Sequence, residues 1–322
     1  MARGIKYSAN RVDKTIKKGN MASAVEPNVD YGPTSSTGFY SPIAPPAGGY
    51  TIYKNKASGG PSIYTATTDQ QVINVARSIG GTSITTVESA FLWMAQQSDV
   101  IVVDDSGYDL VTDGLVILLD ATRRMSYPGS GNIWYDLSGN GNNFTLYNTP
   151  DYVSRTLKFD GISDYAALPN NATLNFSRGQ TLMFWMNHNI TSGRRNIWDQ
   201  AYGGYGTLTH ESGGNFNYYF GDAGLNATPY IGFTSHSTPR NTWQFVTVTR
   251  DLTKALWYDN AVLTRSVNHS YADLLTDTNQ IRIGVGYAGY WAGQIGQVIA
   301  YNRALEPGEI EFVFNQTKSK FI

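Results

Sequence analysis

Two features of this sequence could do chemistry: aromatic rings carried on glycine-rich turns, and acidic side chains placed to act together. A sugar site needs flat rings for the pyranose to lie on and a few polar groups that converge on its hydroxyls. Tyr202-Gly203-Gly204-Tyr205 and Gly286-Tyr287-Ala288-Gly289-Tyr290-Trp291 put rings on turns rather than on strands. Tyr202, Tyr205, Tyr287, Tyr290 and Trp291 are therefore the candidate carbohydrate-binding residues. The same rings would equally fill a core or serve a protein interface.

Acid chemistry is weaker. Glycoside hydrolysis needs two carboxyl groups about 5 Å apart for retention, or roughly 6.5–9.5 Å for inversion. Between Gly114 and Ala300 the only glutamate is Glu211. His188, His210, His236 and His269 are scattered, with no HExxH spacing. No Gly-x-Ser-x-Gly elbow and no P-loop is present. The expected catalytic residues are none, and the chain does not read as an enzyme.

The elements that would position these residues are strands. Leu115–Asp120 is a continuous apolar run. In Gln180–Asn187, Leu182, Phe184 and Met186 share one face and Met183 and Trp185 the other, which predicts a central strand apolar on both sides. Trp243–Thr249 and Lys254–Tyr258 precede a predicted turn at Asp259-Asn260, with Val262–Arg265 returning. Ile281–Val285 and Ile295–Tyr301 read as closing strands, and Glu306–Phe314 as a short helix started near Pro307. Many short strands and almost no helix predict a β-sandwich over residues 111–322.

Upstream the pattern differs. Residues 1–20 carry Arg3, Lys6, Arg11, Lys14, Lys17 and Lys18 against Asp13. This is a basic arm that docks on an acidic partner surface or on nucleic acid, or else a solvated terminus. Five prolines and four glycines in residues 21–49 forbid a regular element, so residues 1–49 read as an extended arm or a linker. Residues 50–104 predict a small α/β domain. Thr68-Asp69-Gln70-Gln71 is a capping box that opens one helix, Gly80-Gly81 ends it, and Thr85-Thr86-Val87-Glu88 repeats the device. So small a unit has a marginal core and is expected to pack on the C-terminal sandwich, on its own copies or on a neighbouring protein.

Composition sets the bounds. The chain has 322 residues and net charge −1, with 15% charged residues, 13% aromatics, 22 Tyr, 33 Gly and no Cys. The charge leaves no global field favouring nucleic acid. The absence of Cys removes disulfides and thiolate metal sites. The first residues lack the apolar core of a signal peptide, so none is expected. No apolar run approaches the roughly 18 residues of a membrane span.

One set of motifs carries a resemblance. Val111-Thr112-Asp113-Gly114-Leu115, Leu118-Leu119-Asp120-Ala121 and Ser126–Gly131 lead into Trp134–Asn143, WYDLSGNGNN, and then Phe159-Asp160-Gly161 with Asp164-Tyr165. Gly296–Leu305 and Pro307–Ile310 close it. Together these resemble a laminin-G-like, concanavalin A-type jelly-roll domain over roughly the last two-thirds of the chain, of the kind common in phage virion proteins, including those of T4-like phages. The resemblance implies a mainly β fold whose C-terminal jelly-roll β-sandwich follows the arm and the small α/β domain. It implies a virion location and a structural role, as a tail, fibre or capsid-decorating component. Residues 1–104 would contact other virion proteins, and the sandwich would be displayed to cell-surface glycan or make only protein contacts. Symmetric copies, as a homo-oligomer, would supply avidity. It also implies one Ca²⁺, with Asp136, Asp160 and Asp164 as candidate ligands beside Asn140; in Asx-turns those side chains serve the backbone instead. Relatives usually carry an acid where Gln297 stands.

Overall fold

The computed structural model of the chain describes residues 15–16, 50–54, 62–96, 100–104, 110–200, 206–221, 231–269 and 279–322. All but Thr15–Ile16 of the predicted arm, residues 1–49, lies outside them. Chain contacts divide the protein into two compact units, Met1–Thr112 with Arg123–Ser130, and Asp113–Thr122 with Gly131–Ile322.

In the first unit, β1 (Thr15–Ile16), β2 (Tyr50–Lys54), β3 (Ser62–Ala66) and β4 (Val100–Asp104) form a sheet in the order β1-β4-β2-β3. Helices α1 (Asp69–Ser78) and α2 (Val87–Gln96) connect β3 to β4. Thr68 and Gln71 cap α1 reciprocally: the Gln71 N–H donates to Thr68 Oγ1 and the Thr68 N–H to Gln71 Oε1. The second helix starts one residue later than its sequence pattern suggests. Its cap is Thr86, whose Oγ1 accepts from the Ser89 N–H at 3.2 Å. Val72, Ala76, Val87, Ala90, Phe91 and Met94 are buried with Ile52 of the sheet.

The second unit begins with β5 (Leu115–Asp120), β6 (Ile133–Trp134), β7 (Phe144–Tyr147), β8 (Asp151–Val153), β9 (Thr156–Asp160) and β10 (Tyr165–Leu168). It continues with β11 (Gln180–His188), β12 (Arg195–Gln200), β13 (Thr207–His210), β14 (Asn215–Phe220) and β15 (Ile231–Ser237). Then come β16 (Gln244–Arg250), β17 (Lys254–Asp259), β18 (Val262–Asn268), β19 (Ile281–Ile283), β20 (Ala292–Tyr301) and helix α3 (Pro307–Thr317). One sheet runs β15-β14-β13-β12-β19-β10-β7-β6. The other runs β18-β17-β16-β11-β20-β9-β8, with β5 paired to β20. Strand β20 is long enough to pair with β9 through Ala292–Ile295 and with β5 through Gln297–Tyr301.

The two-sided apolar pattern of β11 has two partners. Phe184 faces the opposite sheet, edge-on to Trp198 at 6.3 Å. Trp185 faces outward and is covered by the C-terminal segment. It stacks on Phe314 at 5.7 Å and Phe321 at 4.7 Å, and its Nε1–H donates to Thr317 Oγ1 at 2.8 Å. Gly296 on the neighbouring β20 makes this cover possible, because a Cβ there would overlap Phe321 Cε1. The β17–β18 turn falls on Asn260-Ala261, one residue beyond its predicted place. Both residues have positive φ, 48° and 66°, as a two-residue hairpin turn requires. Asn260 tolerates this because its Oδ1 accepts from the Phe245 N–H at 3.0 Å.

Candidate functional site: a tyrosine face and an end cleft

The acidic turns fold first as backbone devices. Asp136 sits on the β6–β7 loop and turns back onto β5. Its Oδ1 accepts from the N–H of Leu118 and of Ser138, and its Oδ2 from the Asn142 N–H, each at 2.9 Å. The Ser138 hydroxyl adds a fourth bond at 2.7 Å. Asn140 and Asn142 then donate to carbonyls of β5, at Leu115 and Val116. Burial raises the Asp136 pKa and these donors oppose the rise.

Asp160 closes the β9–β10 turn. Its Oδ1 accepts from the N–H groups of Ile162, Ser163 and Asp164 at 2.8–3.0 Å, and Asp164 Oδ2 accepts from the Asp160 N–H at 3.0 Å. Burial and the facing charges of Asp160 and Asp151 push the Asp164 carboxyl upward. Among the described residues no group of three or more Asp, Glu or His side chains could hold a metal ion. Asp136, Asp160 and Asp164 are thus not gathered into one such group, and each carboxylate accepts backbone N–H groups of its own turn or of β5. Gln297 follows the same logic, its amide donating to the buried Asp120 at 3.3 Å.

The predicted aromatic residues separate into three groups. Tyr202 and Tyr205 lie outside the described residues. Trp291 requires a correction: it is fully buried, packed against His188, His210 and Phe216 inside the sandwich, and has no face for a sugar. Tyr287 and Tyr290 are on the β19–β20 loop, Tyr287 at 73% exposure and Tyr290 half-buried.

That loop is clamped. The Trp291 N–H donates to Gly284 O at 2.8 Å, the Ala288 N–H to Asn196 Oδ1 at 2.6 Å, and the Asn196 N–H to Gly289 O at 3.1 Å. Gly286 lies so close to β12 that a Cβ would meet Asn196 Cγ at 2.7 Å. Tyr287 is thus carried on a rigid loop, so less ordering entropy opposes a contact through it.

Beside the loop are two residues that sequence reasoning missed. Tyr147 and Tyr165 are direct cross-strand partners on β7 and β10, and their rings stack at 4.5 Å with planes 4° apart. Tyr290 adds a tilted ring 6.5 Å from Tyr165. Tyr147 is 42% exposed. One row along the same face, Arg282 stands opposite Ala167. The strands gave a signal: FTLY alternates apolar and polar positions, which puts Tyr147 on the face away from Phe144 and Leu146.

Glu211, the sandwich's one internal glutamate, belongs to an ion-pair network. Arg194 donates to it at 2.7 and 3.1 Å and the Tyr219 hydroxyl at 2.7 Å. Burial would raise its pKa, but Arg194 and Tyr219 hold it below the usual carboxylate value.

A second feature opens at one end of the sandwich. The β11–β12, β13–β14 and β15–β16 connections enclose a cleft of about 320 Å³. His188 and His210, the last residues of β11 and β13, lie at its base with ring centroids 4.8 Å apart. They are 1% and 4% exposed. His188 Nε2 shares a hydrogen bond with Thr238 Oγ1 at 3.1 Å, while Nδ1 of both rings is buried without a hydrogen-bond partner. Burial, and for His210 also the neighbouring His188, lowers both pKa values, that of His210 to about 4. Both rings are therefore neutral at pH 7.

Residues 160–311 match the family described as the concanavalin A-like lectin/glucanases superfamily. The C-terminal part of the chain is a concanavalin A-like jelly roll. Solved structures share this fold. The binding domain of botulinum neurotoxin serotype D is 17% identical, with a TM-score of 0.50, over 64% of this chain and 52% of that one. A mutant of HCR/D is 16% identical, with a TM-score of 0.51, over 63% and 52%. The chain spans about half the length of each. No curated protein matches the sequence.

Within the concanavalin A-like domain the tyrosine face and the end cleft are distinct. The first lies on the outer side of the β7–β10–β19 stretch, the second at loops beyond β11 and β13. The two cleft histidines are 22 positions apart in sequence. Only the antiparallel order of the strands brings both to one end.

Proposed function

We propose that the concanavalin A-like domain is a glycan-binding module that adheres through the Tyr147, Tyr165, Tyr290 and Tyr287 face. The observation that carries this reading is the parallel-stacked Tyr147–Tyr165 pair, held by strand register beside a clamped loop that presents Tyr287. Tyrosine supplies large, rigid, amphipathic contact area at low entropic cost, which is what a shallow sugar site needs. Arg282 beside the pair offers a charged hydrogen-bond donor. Each such site binds weakly, and symmetric copies would multiply the affinity.

The finer part of the proposal is that the protein is a virion component, with residues 1–104 fastening the domain to the particle. Its support is the motif resemblance described above and the basic, proline-rich leader. Deleting residues 1–49 should abolish incorporation into particles; normal incorporation would refute the docking role. The glycan reading is tested by a glycan array probed with multivalent full-length protein. Binding that disappears in Tyr165→Ala supports it, and a blank array contradicts it.

A second reading has its own observation. Strand β18 ends its sheet, six of its seven residues are exposed, and Val262 and Leu263 are 66% and 51% exposed. A sheet-end strand that exposes two apolar side chains suits pairing with another protein. On that reading the domain is architectural, and Leu263→Lys rather than Tyr165→Ala disrupts its assembly.

A further inference from the structure

We infer that the end cleft is a second ligand site, separate from the tyrosine face, and that it takes a hydroxylated carboxylate of monosaccharide size, an acidic sugar. Its volume of about 320 Å³ is at the small end of ligand pockets, roughly 300–1,000 Å³. Its lining has a definite chemistry. Thr191, Ser192, Ser212, Ser237 and Thr238 bring hydroxyls, which can donate to and accept from a sugar's own hydroxyls. Gly213-Gly214 leaves one wall free of side chains, and Ile190 with Pro239 gives an apolar patch for a ring's C–H face.

Charge narrows the ligand further. Among the described residues, Arg240 is the one charged side chain in the lining, and none of them there is an acid. Its exposed guanidinium at the rim presents a fork of N–H donors matched to a carboxylate. At the base, the imidazoles of His188 and His210 are buried and neutral, so they add no charge to the floor of the cleft. The cleft thus combines anion recognition at its mouth with neutral polar recognition below.

The experiment is a titration of full-length protein with N-acetylneuraminic acid, glucuronic acid, glucose and acetate, followed by NMR signals of the His188 and His210 rings. At least one acidic sugar is expected to bind and shift both rings, with glucose and acetate at least tenfold weaker. Arg240→Gln, a substitution at an exposed position, should weaken that binding by roughly tenfold or more. Tyr165→Ala, on the other site, should leave it unchanged. No binding by either acidic sugar, glucose binding as tightly, or acetate producing the same shifts would each overturn the inference. Loss of cleft binding in Tyr165→Ala would overturn the separation of the two sites. Because the two variants report on different surfaces, a blank tyrosine face and a blank cleft are distinguishable.

Discussion

Replacing Asp136 by Ala removes the acceptor for three backbone amides and one hydroxyl at once. The amides of Ser138 and Asn142 are on the loop and can reach water if it opens. The Leu118 N–H cannot, because Leu118 is fully buried in β5. A buried donor left unpaired costs about 1–3 kcal/mol. With the loop amides added in part, Asp136→Ala should cost about 3–5 kcal/mol. For a domain of this size that is a fall in melting temperature on the order of 10 °C.

Asp136→Asn separates geometry from charge. Its remaining oxygen can keep the two bonds to Leu118 and Ser138, so it should lose roughly half as much. Burial raises the Asp136 pKa, so ionisation in the fold is itself unfavourable, and the charge is not what stabilises. Scanning calorimetry of wild type and both variants, with and without a chelator, measures all of this. The wild type should melt at the same temperature with chelator present. A loss of only a degree or two in Asp136→Ala, or a chelator effect equal to the mutation, would refute the reading of this acid as a backbone clasp.

Three further outcomes follow from the geometry. The folded His210 pKa of about 4 lies below the unfolded value near 6.5, so the unfolded chain binds a proton that the folded chain refuses between those limits. Stability from this group is complete above pH 6.5 and is lost as pH falls toward 4, by roughly 3 kcal/mol in all. Urea titrations of wild type and His210→Gln should show that slope in the first and a shallower one in the second; parallel slopes would contradict the burial argument. Gly296→Ala should cost about 1–3 kcal/mol by displacing Phe321 from Trp185. In a Phe321→Ala background the same change should cost much less, so additive losses on thermal melting would exclude this contact as the cause. Tyr287→Ala should lower the melting temperature by no more than a few degrees while weakening glycan binding, since the loop is held largely by its backbone.

Much of the fold was legible because period-two patterning is local. Leu182, Phe184 and Met186 against Met183 and Trp185 were enough to require cover on both sides of β11, and the cover proved to be the other sheet and α3 with Phe321. The cap at Thr68 was legible for the same reason, since its partner is three residues away. What sequence could not resolve depends on distant register. Trp291 and Tyr287 share one glycine-rich loop, yet one is fully buried and the other 73% exposed, because the loop folds down onto Asn196 of β12. The stacking of Tyr147 on Tyr165 needs the β7–β10 register, and the His188–His210 pair needs two strands in different sheets to end together. The acids were ambiguous in principle: an Asp in a glycine-rich turn has the same neighbours in sequence whether its oxygens meet a cation or the backbone.

The central claim is that a stacked tyrosine face binds sugar, and one comparison tests it most directly. Wild-type protein and the double variant Tyr147→Ala/Tyr165→Ala should be titrated with the strongest glycan found on an array, at matched valency and with equal melting temperatures checked beforehand. Apolar area covered by the sugar is worth roughly 25 cal/mol per Å², so removing both rings should weaken binding at least tenfold or abolish it. Equal binding by the two proteins would contradict the account.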